Sequence, residues 1–323
     1  MTRKTVKTQY YPPGLTDSFY ISKMYTQMSK SYLVLATGVV SVAFAAVFIR
    51  LAEAPPLVIA AYRLSIAALV LAPVAWIKAR DELRGLDRRQ VWLAVASGAF
   101  LALHFSLWIA SLDFTSVASS VVLVTASPIF VAIASYLLFR EKLTVRIIGG
   151  IAISVAGAII IGYASWQIGV NSLLGSILSL GGALAVSGYM LIGRRLRQNT
   201  GLLSYIFLTY LSAAVFLMAA VLITGQKLQG YSGTTYLMFI LLALVPQLVG
   251  HTSLNWALKY MPATIVTVAV LGEPVGATLL AWSILGEVPR LVEIIGGLLI
   301  LAGIAVAFSK STQAGTPVPP YTF

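Results

Sequence analysis

Two stretches of fifty residues repeat one pattern and decide the fold: LDFTSVASSVVLVTASPIFVAIASYLLFREKLTVRIIGGIAISVAGAIII (112–161) and LKYMPATIVTVAVLGEPVGATLLAWSILGEVPRLVEIIGGLLILAGIAVA (258–307). Laid over each other without a gap, they match at four marked positions: Pro128 with Pro274, Glu141 with Glu287, Gly150 with Gly296, and Gly157 with Gly303. A constant offset over this length indicates two copies of one structural unit.

The composition excludes a water-soluble domain. The 323 residues are 59% hydrophobic and 10% charged, with a mean hydropathy of +0.91. Such a chain has too little polar surface for water, so it is expected to cross a membrane many times. The net charge of +12 lies in short connections between apolar segments, which indicates topology and not a nucleic-acid partner. The absence of cysteine excludes disulfides and thiol catalysis.

The apolar segments predict an all-α membrane protein. Taking about twenty apolar residues per crossing, we predict ten helices near 32–51, 57–77, 90–112, 117–138, 145–163, 173–193, 202–224, 235–258, 262–285 and 291–309. Five helices per copy is an odd number, so the second repeat, 173–309, is inverted relative to the first, 32–163. Tails of residues 1–31 and 310–323 flank them. Inverted repeats are typical of secondary transporters, whose site lies between the halves near the midplane.

The basic residues predict that both termini face the cytoplasm. Eighteen of them fall on the side of the termini: Arg3, Lys4, Lys7, Lys23, Lys30, Lys78, Arg80, Arg84, Arg88, Arg89, Arg140, Lys142, Arg146, Arg194, Arg195, Arg197, Lys259 and Lys310. Only Arg50, Lys227 and Arg290 fall on the other side, and Arg63 lies within the second span. Cytoplasmic connections carry such an excess of Lys and Arg. The first thirty residues contain no secretory signal peptide, so we expect a cell-membrane protein with a cytoplasmic N-terminal tail.

These segments resemble the drug/metabolite transporter superfamily, in its ten-helix, two-copy EamA family. The resemblance rests on the arginine in PPLVIAAYRLSIAAL (55–69), on SPIFVAIASYLLFREKLTVRIIGGIAISVAGAIII (127–161) and on GEPVGATLLAWSILGEVPRLVEIIGGLLILAGIAVA (272–307), and it covers roughly 32–309. It implies transport of small metabolites such as amino acids, nucleotide derivatives or quaternary amines, with export as the family tendency. It also implies a cavity lined mainly by helices one to four and six to nine, with the fifth and tenth helices peripheral. The second repeat departs from the family pattern at one place: its segment GEVPR (286–290) lacks the threonine that ends the matching segment REKLT (140–144) of the first repeat.

Glu273 is the strongest candidate for a functional residue. A charged carboxylate at mid-bilayer costs several kcal/mol unless it is paired, protonated or hydrated, so it marks a pathway or a proton site. The alternative is a neutral glutamic acid bonded across a helix interface beside Pro274. Arg63 is the predicted partner, because the two residues differ in depth by only about 9 Å. A structural Arg63 that reaches the interface or locks helices together is the alternative.

Two histidines occupy nearly equivalent places in the two copies. His104 is followed one turn later by Trp108, and His251 by Asn255 and Trp256. We predict a polar and aromatic face that binds a small amphipathic ligand. The alternative is that each imidazole is satisfied by a neighbouring backbone group or hydroxyl and joins helices. No third ligand stands at a useful spacing, so a metal site is not expected.

Two further patterns favour structural roles. Glu141 and Glu287 stand just ahead of the fifth and tenth helices, where an acid caps a helix N-terminus. The paired glycines seven residues apart on those two helices indicate packing, either between helices or between protomers.

Several function classes lack their residues in this sequence. There is no HExxH motif, no catalytic nucleophile with a spaced base and no paired aspartates, so an enzyme is not expected. There is no channel filter and no nucleotide-binding Gly-Lys loop, and no cofactor is implied. The prediction is a secondary carrier of a small organic metabolite, such as an amino acid or amine, with Glu273, His251, Asn255, His104, Trp108 and Arg63 at its site. Its partners are the substrate and the lipid bilayer, and no nucleic acid.

Three questions stay open at this point. A channel-like facilitator or an intramembrane scaffold without transport remains the alternative function, with an intramembrane enzyme less favoured. The sequence does not distinguish between proton coupling, exchange and facilitated diffusion as the transport mode. It also does not distinguish a monomer from a homodimer.

Overall fold

A computed structural model of the chain describes residues 16–115, 117–140, 143–165, 171–286, 288 and 290–309. The predicted capping residues Glu141 and Glu287 lie outside these ranges, as do residues 1–15 and the predicted C-terminal tail. Within the described ranges every regular element is helical, which confirms the predicted fold class.

The ten predicted spans correspond to ten helical units, α1 to α10. Their bounds are α1 Thr16–Leu51, α2 Pro56–Lys78, α3 Arg88–Ser111, α4 Val117–Val124 with Ser127–Phe139, α5 Val145–Ser165, α6 Ser172–Leu196, α7 Leu202–Ile223, α8 Gly233–Leu242 with a π segment Ala243–His251 and Thr252–Ala257, α9 Ala263–Val270 with Glu273–Leu285, and α10 Leu291–Phe308. A short helix, Arg80–Gly85, joins α2 to α3.

Eight of these units are long and apolar enough to cross a membrane, judged over the described part of the chain. The remaining two, α5 and α10, contain shorter apolar helices, Val145–Ile160 and Ile294–Phe308. Successive units are joined by short connections and alternate in direction. We call the side on which α1 begins and α10 ends the terminal side, and the opposite side the distal side.

The first helix is longer than predicted. It begins at Thr16, although residues 1–31 were predicted as a tail, and only Ser29–Leu51 has the apolarity of a span. Residues 16–31 contain no proline or glycine, so nothing in them stops a helix that nucleates in the apolar segment from extending.

Three helices that were predicted to be continuous are interrupted. In each one the regular α-helix ends four residues before a proline: at Val124 before Pro128, at Leu242 before Pro246, and at Val270 before Pro274. Proline has no backbone N–H, and its ring clashes with the carbonyl group four residues earlier. Two of the breaks occupy the same position in the two repeats, so the repeat places a discontinuity in both halves.

The glycine pairs hold α5 against α10 within one chain. A Cβ atom on Gly150 would lie 2.6 Å from the carbonyl oxygen of Gly303, and one on Gly157 would lie 2.5 Å from that of Gly296. The two contacts interchange when the repeats are swapped, as an inverted repeat requires. These helices therefore pack at backbone distance, and the two halves are joined through equivalent surfaces.

The remaining helices interlock the halves around the centre. α3 packs against α6 and α7, α2 packs against α7, and α1 packs against α8 and α9. Each of these contacts joins a helix of the first repeat to one of the second. The space between the repeats is therefore enclosed by helices from both.

Candidate functional site

A central cavity lies between the repeats, beside the breaks in α4 and α9. It is lined by Val42 and Ala45 of α1, Arg63 of α2, His104 and Trp108 of α3, Val124, Thr125 and Ser127 of α4, Val186 and Met190 of α6, His251 and Leu254 of α8, and Thr267, Val270 and Glu273 of α9. None of the lining residues comes from α5, α7 or α10 over the described ranges. The peripheral place of α5 and α10 agrees with what the resemblance implied. The absence of α7 from the lining differs from it, because the seventh helix was expected to line the cavity.

The cavity is small in this conformation. The space open to the centre of a water molecule is about 40 Å³, which accommodates roughly three waters. A metabolite of several heavy atoms therefore requires the lining helices to move apart.

Five of the six predicted site residues meet in this cavity. They come from α2, α3, α8 and α9, and they are Arg63, His104, Trp108, His251 and Glu273. The cost of placing polar groups in lipid thus identified side chains that the fold directs inward.

Asn255 lies elsewhere. It is fully buried but is not among the residues lining the cavity. Its amide nitrogen donates to the hydroxyl oxygens of Tyr189 and Tyr210, the latter at 3.5 Å. Trp256, on the next position, packs on Tyr260 with ring centroids 4.5 Å apart. Neither residue contributes to the cavity wall.

Arg63 is fully buried and is held from two directions. Its Nε donates to Oε1 of Gln247 at 2.9 Å, and its guanidinium carbon lies 4.0 Å from the ring centroid of Phe105. Its Nη1 has no hydrogen-bond partner among the described residues. The predicted salt bridge to Glu273 is not formed, because no ion pair within 4.0 Å joins these two described side chains. The cation is fixed instead by a neutral amide and an aromatic face.

Glu273 begins the second segment of α9, directly after the break at Leu271 and Gly272. Its side chain lines the cavity and has no hydrogen-bond partner among the described residues. The N-terminus of the segment Glu273–Leu285 carries a partial positive charge, which favours a carboxylate by roughly 0.3–1 kcal/mol. The break thus presents a carboxyl group to the cavity and leaves it free to bind.

The two histidines have different surroundings. Nδ1 of His104 lies 3.0 Å from the carbonyl oxygen of Gly182 on α6, so Nδ1 carries the proton in a neutral ring and Nε2 is an acceptor. The ring of His104 stacks on Trp108 at 5.8 Å and 14°. Nδ1 of His251 has no partner among the described residues, and the two histidine rings are 6.5 Å apart. His104 therefore joins two helices, whereas His251 remains available.

Sequence reasoning missed Gln247 and the π segment that carries it. The nine residues Ala243–His251 contain Pro246, and both Gln247 and His251 turn inward from them. Segments of π-helix are rare and often occur at functional sites. The available signal was a proline beside a glutamine, placed one helical turn before His251.

The terminal side of the bundle is closed by three charged side chains, which we call the terminal latch: the buried Arg194 and Arg197 and the partly buried Glu82. Arg197 donates from Nε to the carbonyl oxygen of Asn255 at 3.1 Å and from Nη1 to that of Thr200. Arg194 donates from Nη1 to the carbonyl oxygen of Leu258 at 2.6 Å. Both arginines thus bind the C-terminal end of α8 or the turn after α6, where the helix leaves carbonyl groups unpaired.

Glu82 completes the latch at the start of α7. Its carboxylate accepts hydrogen bonds from the backbone N–H of Gly201 and the hydroxyl of Ser204. A carboxylate satisfies the free N–H groups of a helix N-terminus and is favoured there by the helix dipole. The short helix Arg80–Gly85 is thereby tied to α7.

Comparison with known proteins agrees with this architecture. Residues 29–163 and 173–309 match the EamA-like transporter family. "Uncharacterized transporter YdfC" of Bacillus subtilis is 23% identical over 188 residues, which is 58% of this chain and 61% of that protein. An "Uncharacterized transporter" of Archaeoglobus fulgidus is 24% identical over 297 residues, 88% of this chain and 99% of that protein. A crystal structure that is 20% identical superposes with a TM-score of 0.71 over 86% of this chain and 98% of its own, and shows a shared fold.

Proposed function

Because the chain belongs to the EamA-like transporter family of the drug/metabolite transporter superfamily, we propose that it is a secondary transporter that exports a small amino acid or amine across the cell membrane by alternating access. One observation carries the proposal: Glu273 and Arg63 face one cavity between the repeats, and no ion pair within 4.0 Å joins these two described side chains. Two opposite charges that stay apart in a low-dielectric space call for a ligand that satisfies both.

The arrangement suits a zwitterion. Nη1 of Arg63 and Nε1 of Trp108 are buried donors without partners among the described residues, and they match a carboxylate. The carboxylate of Glu273 matches an ammonium group. A substrate bound in this way supplies the hydrogen bonds that the buried groups lack, which favours binding.

Glu273 also provides a means of coupling to protons. A proton and a substrate ammonium compete for the same carboxylate, so that binding of one releases the other. When a proton moves inward on this carboxylate and the substrate moves outward, the proton gradient drives export. His251, whose Nδ1 is unpartnered, is a second group in the same cavity that can take up a proton.

The orientation follows from charge. The sequence assigns eighteen Lys and Arg residues to the side of the termini and three to the other side. The positive-inside rule then assigns the terminal side, with both termini, to the cytoplasm. On this assignment the terminal latch is the cytoplasmic closure.

Counterflow in liposomes tests the function. The purified protein is reconstituted, loaded with one unlabelled compound, and exposed to a labelled panel of amino acids and amines at two internal pH values. The parent should exchange one class with a pH-dependent rate, and Glu273→Gln should lose either exchange or the pH dependence. Asp81→Asn, which removes an exposed acid on the terminal side, is the matched control and should behave as the parent. Unchanged exchange and unchanged pH dependence in Glu273→Gln would remove Glu273 from the mechanism.

A further inference from the structure

A basic segment, residues 78–89, joins α2 to α3 on the terminal side of the bundle. It contains five cations and three acids, and all five cations are exposed: Lys78, Arg80, Arg84, Arg88 and Arg89. The arginines of the terminal latch differ in this respect, because Arg194 and Arg197 are buried and donate to backbone carbonyl groups. The basic segment therefore presents its charge outward, whereas the latch uses its charge within the fold.

The acids of the basic segment do not pair with its cations. Glu82 binds the N-terminus of α7, and Asp87 caps α3 by accepting from the backbone N–H of Gln90. The third acid, Asp81, is exposed. None of the five cations forms an ion pair within 4.0 Å with any residue that the structure describes. The cations are thus free to bind an anion from outside the chain.

Two of these cations stand where a helix disfavours positive charge. Arg88 and Arg89 are the first two residues of α3, and the first turn of this helix contains no acid. The unpaired N–H groups of a helix N-terminus carry a partial positive charge, which repels a cation. An external anion bound to these arginines removes that repulsion.

Apolar side chains lie directly on the membrane side of the basic segment. Trp76, two residues before the end of α2, and Trp92, four residues after the start of α3, are both exposed, as is Ile77. Tryptophan is enriched at the level of the lipid headgroups. The guanidinium carbon of Arg80 lies 4.8 Å from the ring centroid of Trp76. This contact holds one of the cations at the depth of the headgroups.

We propose that the basic segment is a binding site for an anionic phospholipid of the leaflet on the terminal side. The headgroup phosphate pairs with the exposed cations, and the acyl chains lie against Trp76, Ile77 and Trp92. Clusters of about four to eight Lys and Arg beside a membrane span attract anionic lipids. A soluble anion would satisfy the cations but would leave the apolar side chains without a partner. The proposal needs no substrate and no transport, so it stands apart from the proposed function.

Glu82 fixes the basic segment to the rest of the bundle. It lies in the short helix Arg80–Gly85, and its carboxylate accepts from the backbone N–H of Gly201 and the hydroxyl of Ser204 at the start of α7. A site whose backbone is already fixed loses less conformational freedom when its ligand binds. Glu82 is therefore a positioning residue of the lipid site, although its own charge repels the headgroup.

Native mass spectrometry of the full chain in detergent measures the site. The protein is titrated with dioleoylphosphatidylglycerol or dioleoylphosphatidylcholine, which have the same acyl chains and differ in headgroup charge. The first phosphatidylglycerol should bind about tenfold or more tightly than the first phosphatidylcholine. Glycerol phosphate at the same concentration, which offers the anion without acyl chains, should not displace it. Equal affinity for the two lipids, or displacement by glycerol phosphate, would overturn the proposal.

The location is tested with two double variants that remove the same charge from the terminal side. Arg84→Gln with Arg88→Gln should weaken phosphatidylglycerol binding about tenfold or more, because each cation near an anionic surface contributes about fivefold. Arg195→Gln with Lys259→Gln removes two exposed cations elsewhere and should leave the affinity close to that of the parent. Equal losses in the two variants would show a general effect of charge, and no loss in the first variant would refute the site.

The positioning role predicts effects of opposite sign for two neighbouring acids. Asp81→Asn removes a repelling charge and should tighten phosphatidylglycerol binding. Glu82→Gln removes the same charge but weakens the tie to α7, so it should weaken the binding. Tighter binding in both variants would show that Glu82 acts through its charge alone. Monodisperse elution and unchanged phosphatidylcholine binding check the folding of every variant.

Discussion

Arg63 of the first repeat donates its Nε to Oε1 of Gln247 in the second, at 2.9 Å, and both side chains are fully buried. This single bond ties the cation of the cavity to the π segment of α8. The guanidinium also lies on the ring of Phe105, and no ion pair within 4.0 Å joins it to Glu273. In the proposed function, the carboxyl group of Glu273 is the one that binds a ligand or a proton.

Removing the acceptor at Gln247 should destabilise the protein. Gln247→Leu leaves the buried Nε of Arg63 without a partner, at a cost of about 1–3 kcal/mol. We expect a lower thermal midpoint in detergent for Gln247→Leu. Gln247→Glu keeps an acceptor oxygen at the same place and is the control that should retain more of the stability. Equal midpoints for the parent and Gln247→Leu would show that the hydrogen bond contributes little.

The contact between α5 and α10 gives a prediction with its control on the same helix. A Cβ on Gly150 would lie 2.6 Å from both the Cβ of Ala307 and the carbonyl oxygen of Gly303, whereas one on Gly149 meets nothing within 4 Å. Gly150→Ala should therefore cost about 1–3 kcal/mol through overpacking. Gly149→Ala should be neutral or gain up to about 1 kcal/mol from helix propensity. Thermal unfolding of the two variants in detergent measures the difference, and a reversed order would contradict the packing.

The terminal latch predicts different effects for two nearby arginines. Arg197 is buried and donates to two carbonyl groups, whereas Arg195 is exposed. Arg197→Gln should lose about 2 kcal/mol, since hydrogen bonds to charged groups contribute about 1.5–3 kcal/mol, and Arg195→Gln should change little.

The same substitution should also affect access. With the latch weakened, Arg197→Gln should raise the reaction rate of Met190→Cys with an impermeant thiol reagent applied from the terminal side. Arg195→Gln is again the control. If the rate at Met190→Cys is the same in both backgrounds, Arg197 stabilises the fold without closing the path.

We expect Asp113, which lies at the distal side outside the spans, to make the stability of the protein depend on pH. Partial burial raises the pKa of its carboxyl group above the usual 3.8. A group with a raised folded-state pKa contributes stability that is complete below the unfolded pKa and is lost as the pH rises through the folded pKa. Asp113→Asn should therefore match the parent near pH 3 and be the more stable protein near pH 7, with the change beginning around pH 4.

Thermal midpoints of the parent and Asp113→Asn across this range provide the measurement. Asp81→Asn, at an exposed position on the terminal side, controls for the loss of one negative charge. A stability difference between parent and Asp113→Asn that is the same at every pH would contradict the assigned cause.

The sequence by itself determined the number of helices, their repeat and most of the cavity's polar residues. These features are local: a crossing needs a fixed length of apolar residues, a repeat shows as a constant offset, and a polar side chain in lipid is costly wherever it stands. Glu273, Arg63, His104 and His251 were identifiable on that ground, and Trp108 from its place one turn after His104. The helix breaks could also have been predicted from the sequence, because in each one a proline ring clashes with the carbonyl group four residues before it.

The tertiary structure alone decided which partner each side chain has. Asn255 turns to two tyrosines and not to the cavity, Arg63 bonds to Gln247 and not to Glu273, and the glycines of α5 meet those of α10 in the same chain. These outcomes depend on how each helix is rotated about its axis and how closely its neighbour approaches. A rotation of one residue, about 100° in an α-helix, exchanges an inward side chain for an outward one. The apolar pattern of a helix that is hydrophobic on every side does not fix that angle, and only the packing of all ten units does.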